Sequence, residues 1–290
     1  MLTKPEIKTW GHALDYTIAT RPSWRHGNGR KTALINANHF TNAVGLSFPV
    51  KKIDQFLLTR VCLELEDMKR SGATINRVVS AVSTVLHHCA DDGLIPPPPK
   101  FRRRVESTGR ALYYTKEQVD RLAHVSTDVF ARDDLRDIIL FAAYTGMRQG
   151  EILKLRRRDV RWDTNNIIVG GEKAVTTKTG NVREIPIHPK ITELLSDRCS
   201  QSHHDTVRLF GDEWRDKDQL LRAFRKVNRI VTNDDTYCFH CLRHSFATWQ
   251  ADANVPARTI MTLMGHARIE TTLRYAKTTE SAARAAINAM

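Results

Sequence analysis

Arg148, Lys178, His240, Arg243, His266 and Tyr275 form a basic, imidazole-rich set that ends in one tyrosine on a short helical stretch. These residue types suit the transfer of a phosphoryl group to a hydroxyl. Two guanidinium forks can neutralise a phosphate, a lysine and two histidines can move protons, and a phenol can attack. No paired carboxylates and no metal-ligand cluster stand beside them. A free phenol ionises at about pH 10, so Tyr275 is expected to need cationic neighbours that lower the cost of its phenolate.

Spacing sharpens the reading. His240 and Arg243 are three residues apart at the start of a predicted helix and share a face, with Leu242, Phe246 and Trp249 as an apolar stripe opposite. Arg148 follows Gly146 in a tight turn and precedes Glu151 by three, so the carboxylate can orient the guanidinium and Glu151 is a supporting residue. His266 follows Gly265, which can end a helix in a left-handed turn.

The sequence reads Tyr144-Thr-Gly-Met-Arg-Gln-Gly-Glu-Ile152, His240-Cys-Leu-Arg-His-Ser-Phe-Ala-Thr248, Leu263-Met-Gly-His266 and Thr271-Thr-Leu-Arg-Tyr-Ala276 in that order. Over roughly residues 113–290 it resembles the catalytic domain of the tyrosine recombinases, the phage integrases and chromosome-dimer resolvases. The resemblance implies that Arg148 and Arg243 bind the scissile phosphate and His266 donates to it. It makes Lys178 the general acid for the departing 5′ oxygen, with Lys173 close by, and His240 an assisting general acid or base. Tyr275 would be the nucleophile, forming a 3′-phosphotyrosine that a 5′ hydroxyl of a partner duplex resolves through a Holliday junction. Such a reaction takes no cofactor and no metal. The implied partners are double-stranded DNA with a specific core site, a homotetramer on synapsed DNA, and a directionality or host DNA-bending factor. The implied role is integration or excision of a phage or mobile element. Cys241 stands where the family often has an acidic residue and Met264 where it often has leucine; neither removes a reacting group.

A net charge of +13 over 290 residues favours a polyanionic partner. Residues 1–105 hold 16 Lys and Arg against 8 Asp and Glu, so the grip on a phosphate backbone is expected mostly there. Apolar residues at Ile75, Val78, Val79, Val82, Leu86 and Cys89 have helical spacing closed by Gly93. Further helices are expected over about 51–69 and 33–44, and the stretch from Gly72-Ala-Thr-Ile-Asn-Arg77 through Ala90-Asp-Asp-Gly-Leu-Ile95 resembles the family's core-binding domain. About 30 residues precede these helices, so the separate arm-binding domain that some phage integrases carry is not expected.

The prolines at 96–99 end this pattern. Lys100, Arg102, Arg103 and Arg104 follow in a basic stretch expected to cross a phosphate backbone. The expected organisation is therefore a helical core-binding, DNA-binding domain over 1–99, a basic interdomain linker over 100–111, a catalytic domain over 112–279, and a tail over 280–290 that docks on a neighbouring protomer.

Within the catalytic domain, Thr115 and Gln118 have capping-box spacing, and helices are expected over 134–144, 217–231, 240–252 and 256–264. Three β-rich runs, 166–169, 174–178 and 182–187, predict a small antiparallel sheet, the last two as a hairpin with Lys178 at its tip. The fold class is mainly α (α+β). Tyr16, Tyr113, Tyr114, Tyr144 and Tyr237 are read as core or interface aromatics.

Five cysteines, Cys62, Cys89, Cys199, Cys238 and Cys241, form no disulfide framework and point to a reducing cytoplasm, in a bacterium or a host cell and close to the nucleoid. No leader pattern and no long apolar run suggest export or a membrane. Cys238, Cys241 and His244, with His203 and His204, have part of a zinc-site spacing, but no second pair follows at finger distance and Cys241 lies on the His240 helix. Two other functions share part of the pattern. A type IB topoisomerase-like nicking-closing enzyme uses the same chemistry, and the upstream helical domain argues against it. A non-catalytic DNA-binding regulator explains the charge but not the reacting set.

Overall fold

The protein is described by a computed structural model covering residues 4–106, 112–170, 182–201, 204–210, 213–214 and 217–275. The chain divides into two compact units, Met1–Gly109 and Arg110–Met290.

The first unit is helical: α1 (Trp10–Thr20), α2 (Pro22–Arg25), α3 (Gly27–Val44), α4 (Gln55–Asp67) and α5 (Gly72–Asp91). Side-chain oxygens of Thr9, Asp54 and Ser71 cap the starts of α1, α4 and α5 by accepting from free backbone amides of their first turns. The stripe from Ile75 to Cys89 is buried against the other helices. Helix α1 lies within the stretch expected to precede the first helix. Its Trp10 is fully buried edge-on against Phe40, with ring centres 4.8 Å apart, so that stretch belongs to the same core. The α3 helix starts at Gly27, earlier than its apolar periodicity indicates.

The basic stretch expected as a linker lies on this unit instead. Phe101 is buried in the core, and the Arg102 amide donates to Gln55 Oε1 at 2.8 Å. The Arg104 amide donates to Asn76 Oδ1 at 2.8 Å, while its guanidinium pairs with Glu66 at 2.5 Å. Lys100, Arg102 and Arg103 stay exposed.

The second unit begins with α6 (Lys116–Asp128), whose Thr115–Gln118 capping box is formed, and α7 (Asp133–Thr145). Gly146 ends α7 with φ of 62°, a left-handed conformation that suits glycine. The short α8 (Gln149–Ile152) leads to a sheet of β1 (Val160–Arg161), β2 (Asn166–Val169) and β3 (Arg183–Pro186). It is antiparallel in the order β1-β2-β3, with Ile167 opposite both Val160 and Ile185 and Val169 opposite Arg183. The 174–178 run, with Lys178, lies outside the described residues, as does the 280–290 tail. Then come α9 (Thr192–Ser200), α10 (Lys217–Thr232), α11 (His240–Asp252), α12 (Ala257–Met264) and α13 (Glu270–Leu273).

The main core of this unit packs α6, α7, the sheet and α10 against Leu242 of α11. A separate small cluster joins Phe246, Ala247, Ile260, Met264 and Tyr275. Phe246 therefore leaves the apolar stripe assigned to it and packs with the nucleophile candidate, because Gly146 opens a space there. A methyl group on Gly146 would sit 2.5 Å from the Phe246 ring. Among the described residues no helix is long and apolar enough to cross a membrane.

Candidate active site

Two left-handed helix ends and one helix start hold the candidate residues. Arg148 stands just past Gly146 at the cap of α8, and His266 stands just past Gly265, which ends α12 with φ of 63°. Along α11 come His240, Arg243 and His244.

Arg243 is buried and ties the two ends together, donating from Nη1 to the Gly146 carbonyl and from Nη2 to the Met264 carbonyl, each at 2.6 Å. Burial first, then the neighbouring Arg148 charge, push its guanidinium down to about 9, so it is still cationic at neutral pH. Arg148 donates to Glu151 Oε1 at 2.9 Å and to the Gly265 carbonyl at 3.0 Å.

Glu151 is buried and also receives Arg183 at 2.7 Å. Burial alone would raise its carboxyl; the Arg183 hydrogen bond and charge, with help from Arg148, outweigh that and hold it below the usual carboxylate range. Arg183 also donates from Nε to the Leu263 carbonyl at 2.8 Å. One carboxylate thus orients two guanidiniums, and Arg243 is a third cation beside them.

His266 Nδ1 meets the Thr272 hydroxyl at 2.8 Å. A hydroxyl that donates to Nδ1 leaves the ring proton on Nε2, free to donate elsewhere. Burial, then the Arg243 and Arg148 charges, lower His266 to about 4. His240 reaches solvent, and partial desolvation followed by the same two arginine charges keeps it below its ordinary value. Both rings are neutral at pH 7.

Tyr275 is only 7% exposed, and its hydroxyl is hydrogen-bonded to Nδ1 of His244. Burial raises its phenol above the usual value; Arg274 and Arg243 pull the other way without cancelling it. The cationic neighbours expected there do lower the cost of the phenolate, but desolvation outweighs them in this state. Its hydrogen-bond partner, His244, is lowered to about 4 by burial and then by His240 and the arginines, hence neutral.

The structure thus brings together Arg148, Glu151, His240, Arg243, His266 and Tyr275, and leaves Lys178 outside the described residues. Sequence reasoning missed Arg183 and gave His244 no part in this site. The signal for Arg183 was strand alternation: it shares the inward face of β3 with Ile185, where an arginine needs a buried carboxylate. For His244 the signal was its position one helical turn after His240. Tyr114 and Tyr144 are buried aromatics, as read. Among the described residues no three His, Cys, Asp or Glu side chains converge to hold a metal ion.

The profile of the phage integrase family matches residues 113–282. The chain is 32% identical over 221 residues to tyrosine recombinase XerA of Thermococcus kodakarensis, which spans 72% of each chain. In fold it is similar to the Tn1549 transposon integrase in complex with transposon right end DNA, with a TM-score of 0.80, 18% identity, and 97% of this chain and 99% of that one covered. It is likewise similar to the XerH site-specific recombinase bound to difH substrate before cleavage, with a TM-score of 0.68, 17% identity, and 90% and 78% of the chains covered.

Proposed function

The chain belongs to the phage integrase family of tyrosine-type site-specific recombinases, and on that premise we propose that it cleaves and rejoins double-stranded DNA through a 3′-phosphotyrosine on Tyr275. The observation that carries this reading is the surplus of fixed positive charge beside the tyrosine: Arg148, Arg183 and Arg243 gather around one carboxylate, Glu151. Such a cluster awaits an anion whose charge grows in the transition state, and it is oriented before the anion arrives.

In the cleavage step Tyr275 Oη bonds to phosphorus while its proton passes to His244 Nδ1. The bond from phosphorus to the 5′ oxygen breaks, and Lys178 supplies that oxygen's proton. Arg148 and Arg243 hold the phosphoryl oxygens, His266 donates from Nε2, and His240 assists as acid or base. A 5′ hydroxyl from a partner duplex reverses the step, so the bond energy is kept without a cofactor. A nucleophile this buried must first be uncovered, so the last turn moves before attack.

Lys100, Arg102 and Arg103, all exposed, are read as backbone contacts; Arg104 joins them only by leaving Glu66. The helical first unit is read as the core-binding domain, and the assembly as a homotetramer on synapsed core sites, with the tail on a neighbouring protomer and a directionality or host bending factor as accessory. Integration or excision of a phage or mobile element is the role this reading assigns.

Covalent trapping on nicked suicide duplexes cut from the chain's own genomic junctions tests the reading. A 3′ adduct that maps to Tyr275 and disappears in Tyr275→Phe is expected. Specific binding of these duplexes with no adduct would overturn it in favour of a DNA-binding regulator, and relaxation of arbitrary supercoiled DNA in favour of a nicking-closing enzyme.

A further inference from the structure

Cys238 and Cys241 flank His240 at the start of α11, and neither takes part in the chemistry above. Their sulfurs are 3.7 Å apart and the Cys238 amide points at Cys241 Sγ at 3.3 Å. The turn is already closed by a hydrogen bond from the Cys241 amide to the Cys238 carbonyl at 2.8 Å. Cys238 is exposed while Cys241 is buried beneath it. This is the layout of an attacking thiol above a resolving one at a helix start.

We propose that Cys238 and Cys241 are a redox-active pair that closes to an intramolecular disulfide on meeting a small-molecule disulfide, shifting the first turn of α11 and His240 with it. Closure shortens the sulfur separation from 3.7 Å to about 2 Å, and His240, held between the two cysteines, moves with the backbone. The chemistry balances as thiol–disulfide exchange. The Cys238 thiolate attacks the small disulfide and expels one thiolate. Cys241 then gives up its proton, attacks Cys238 Sγ and expels the second. Two protein thiols are oxidised and one external disulfide is reduced.

Hydrogen bonds from the Cys241 thiol and from the His240 and Cys241 amides favour the attacking thiolate, lowering Cys238 to about 6. Cys62, Cys89 and Cys199 are buried, and burial pushes each of these thiols up.

The effect on DNA cleavage rests on the recombinase reading; the pairing does not. The test treats the full chain with excess oxidised glutathione, maps thiols by mass spectrometry, follows His240 carbethoxylation, and measures suicide-duplex adducts before and after dithiothreitol. A peptide linking Cys238 to Cys241 is expected, with the other three thiols free. Adduct formation should fall roughly a hundredfold, as for a displaced proton carrier, and return on reduction. Cys238→Ser should stay active under oxidant, and Cys241→Ala should stop at a glutathione adduct on Cys238. A wild-type chain that stops at that adduct, or a linked protein that cleaves at the reduced rate, overturns the proposal. If the reduced protein forms no adduct at all, the recombinase reading falls, and the linkage with the His240 reaction rate still decides the pair.

Discussion

The Tyr275 hydroxyl is hydrogen-bonded to Nδ1 of His244, the residue that follows Arg243 on the same helix. A phenol raised by burial therefore faces an imidazole that is neutral at pH 7, the pairing in which the proposed cleavage step makes His244 the proton acceptor. His244→Gln should slow adduct formation about a hundredfold. Without the base, the rate should keep climbing with pH toward the phenol's own ionisation, where the wild-type rate levels off. A pH–rate series on the suicide duplex checks this, and identical profiles would rule His244 out as the acceptor.

Tyr275→Phe separates chemistry from folding. The ring remains in the cluster with Phe246, Ile260 and Met264, and His244 loses one hydrogen bond, costing about 1 kcal/mol. Adducts should vanish while the thermal midpoint falls by only a few degrees in calorimetry.

Arg183 predicts a larger structural effect. Its partner Glu151 is as buried as it is, and removing one side of such a pair costs about 3–5 kcal/mol. Arg183→Met should lower the urea midpoint of the second unit sharply. It should also weaken catalysis, since Glu151 then orients Arg148 alone.

Gly265→Ala tests the turn before His266. At φ of 63° a side chain is strained, and the added carbon would lie 2.9 Å from Arg183 Nη1. A stability loss of about 1–2 kcal/mol is expected, with a greater loss of adduct formation than of DNA binding, measured by gel shift.

Acid should weaken the fold before any carboxylate is involved. His244 and His266 both titrate at about 4 in the folded chain against 6.5 for an ordinary histidine. The unfolded chain therefore binds their protons first. Their contribution is whole above pH 6.5 and is lost as pH falls toward 4, by about 1.4 kcal/mol per histidine per pH unit. Thermal midpoints from pH 8 to 4 should drop, and the slope should be shallower in His244→Gln.

Much of this was legible in the sequence. Helix α11 runs over the residues predicted, and Thr115 with Gln118 announced a capping box that is formed. The mainly α class with a small antiparallel sheet came from periodicity. What stayed hidden depends on packing between distant segments. Arg183 lies 32 residues from Glu151 and Tyr275 lies 31 from His244, so neither pairing leaves a local pattern. Desolvation of Tyr275 follows from its cluster with Phe246, and Phe246 could move there only because Gly146 carries no side chain. The basic stretch at 100–104 reads as a linker crossing a phosphate backbone, and no local pattern announces that Phe101 lies inside the core.

Arg243 holds the carbonyls of both Gly146 and Met264. Any rearrangement that drew α12 away from α7 would strip those bonds from a buried cation, a penalty of several kcal/mol. If Tyr275 is the nucleophile proposed above, the movement that exposes it is confined to the stretch after His266, and Arg148, Arg243 and His266 stay in place behind it. On the proposed reading, that division of labour between a fixed cradle and a short moving arm has DNA gripped before it is cut.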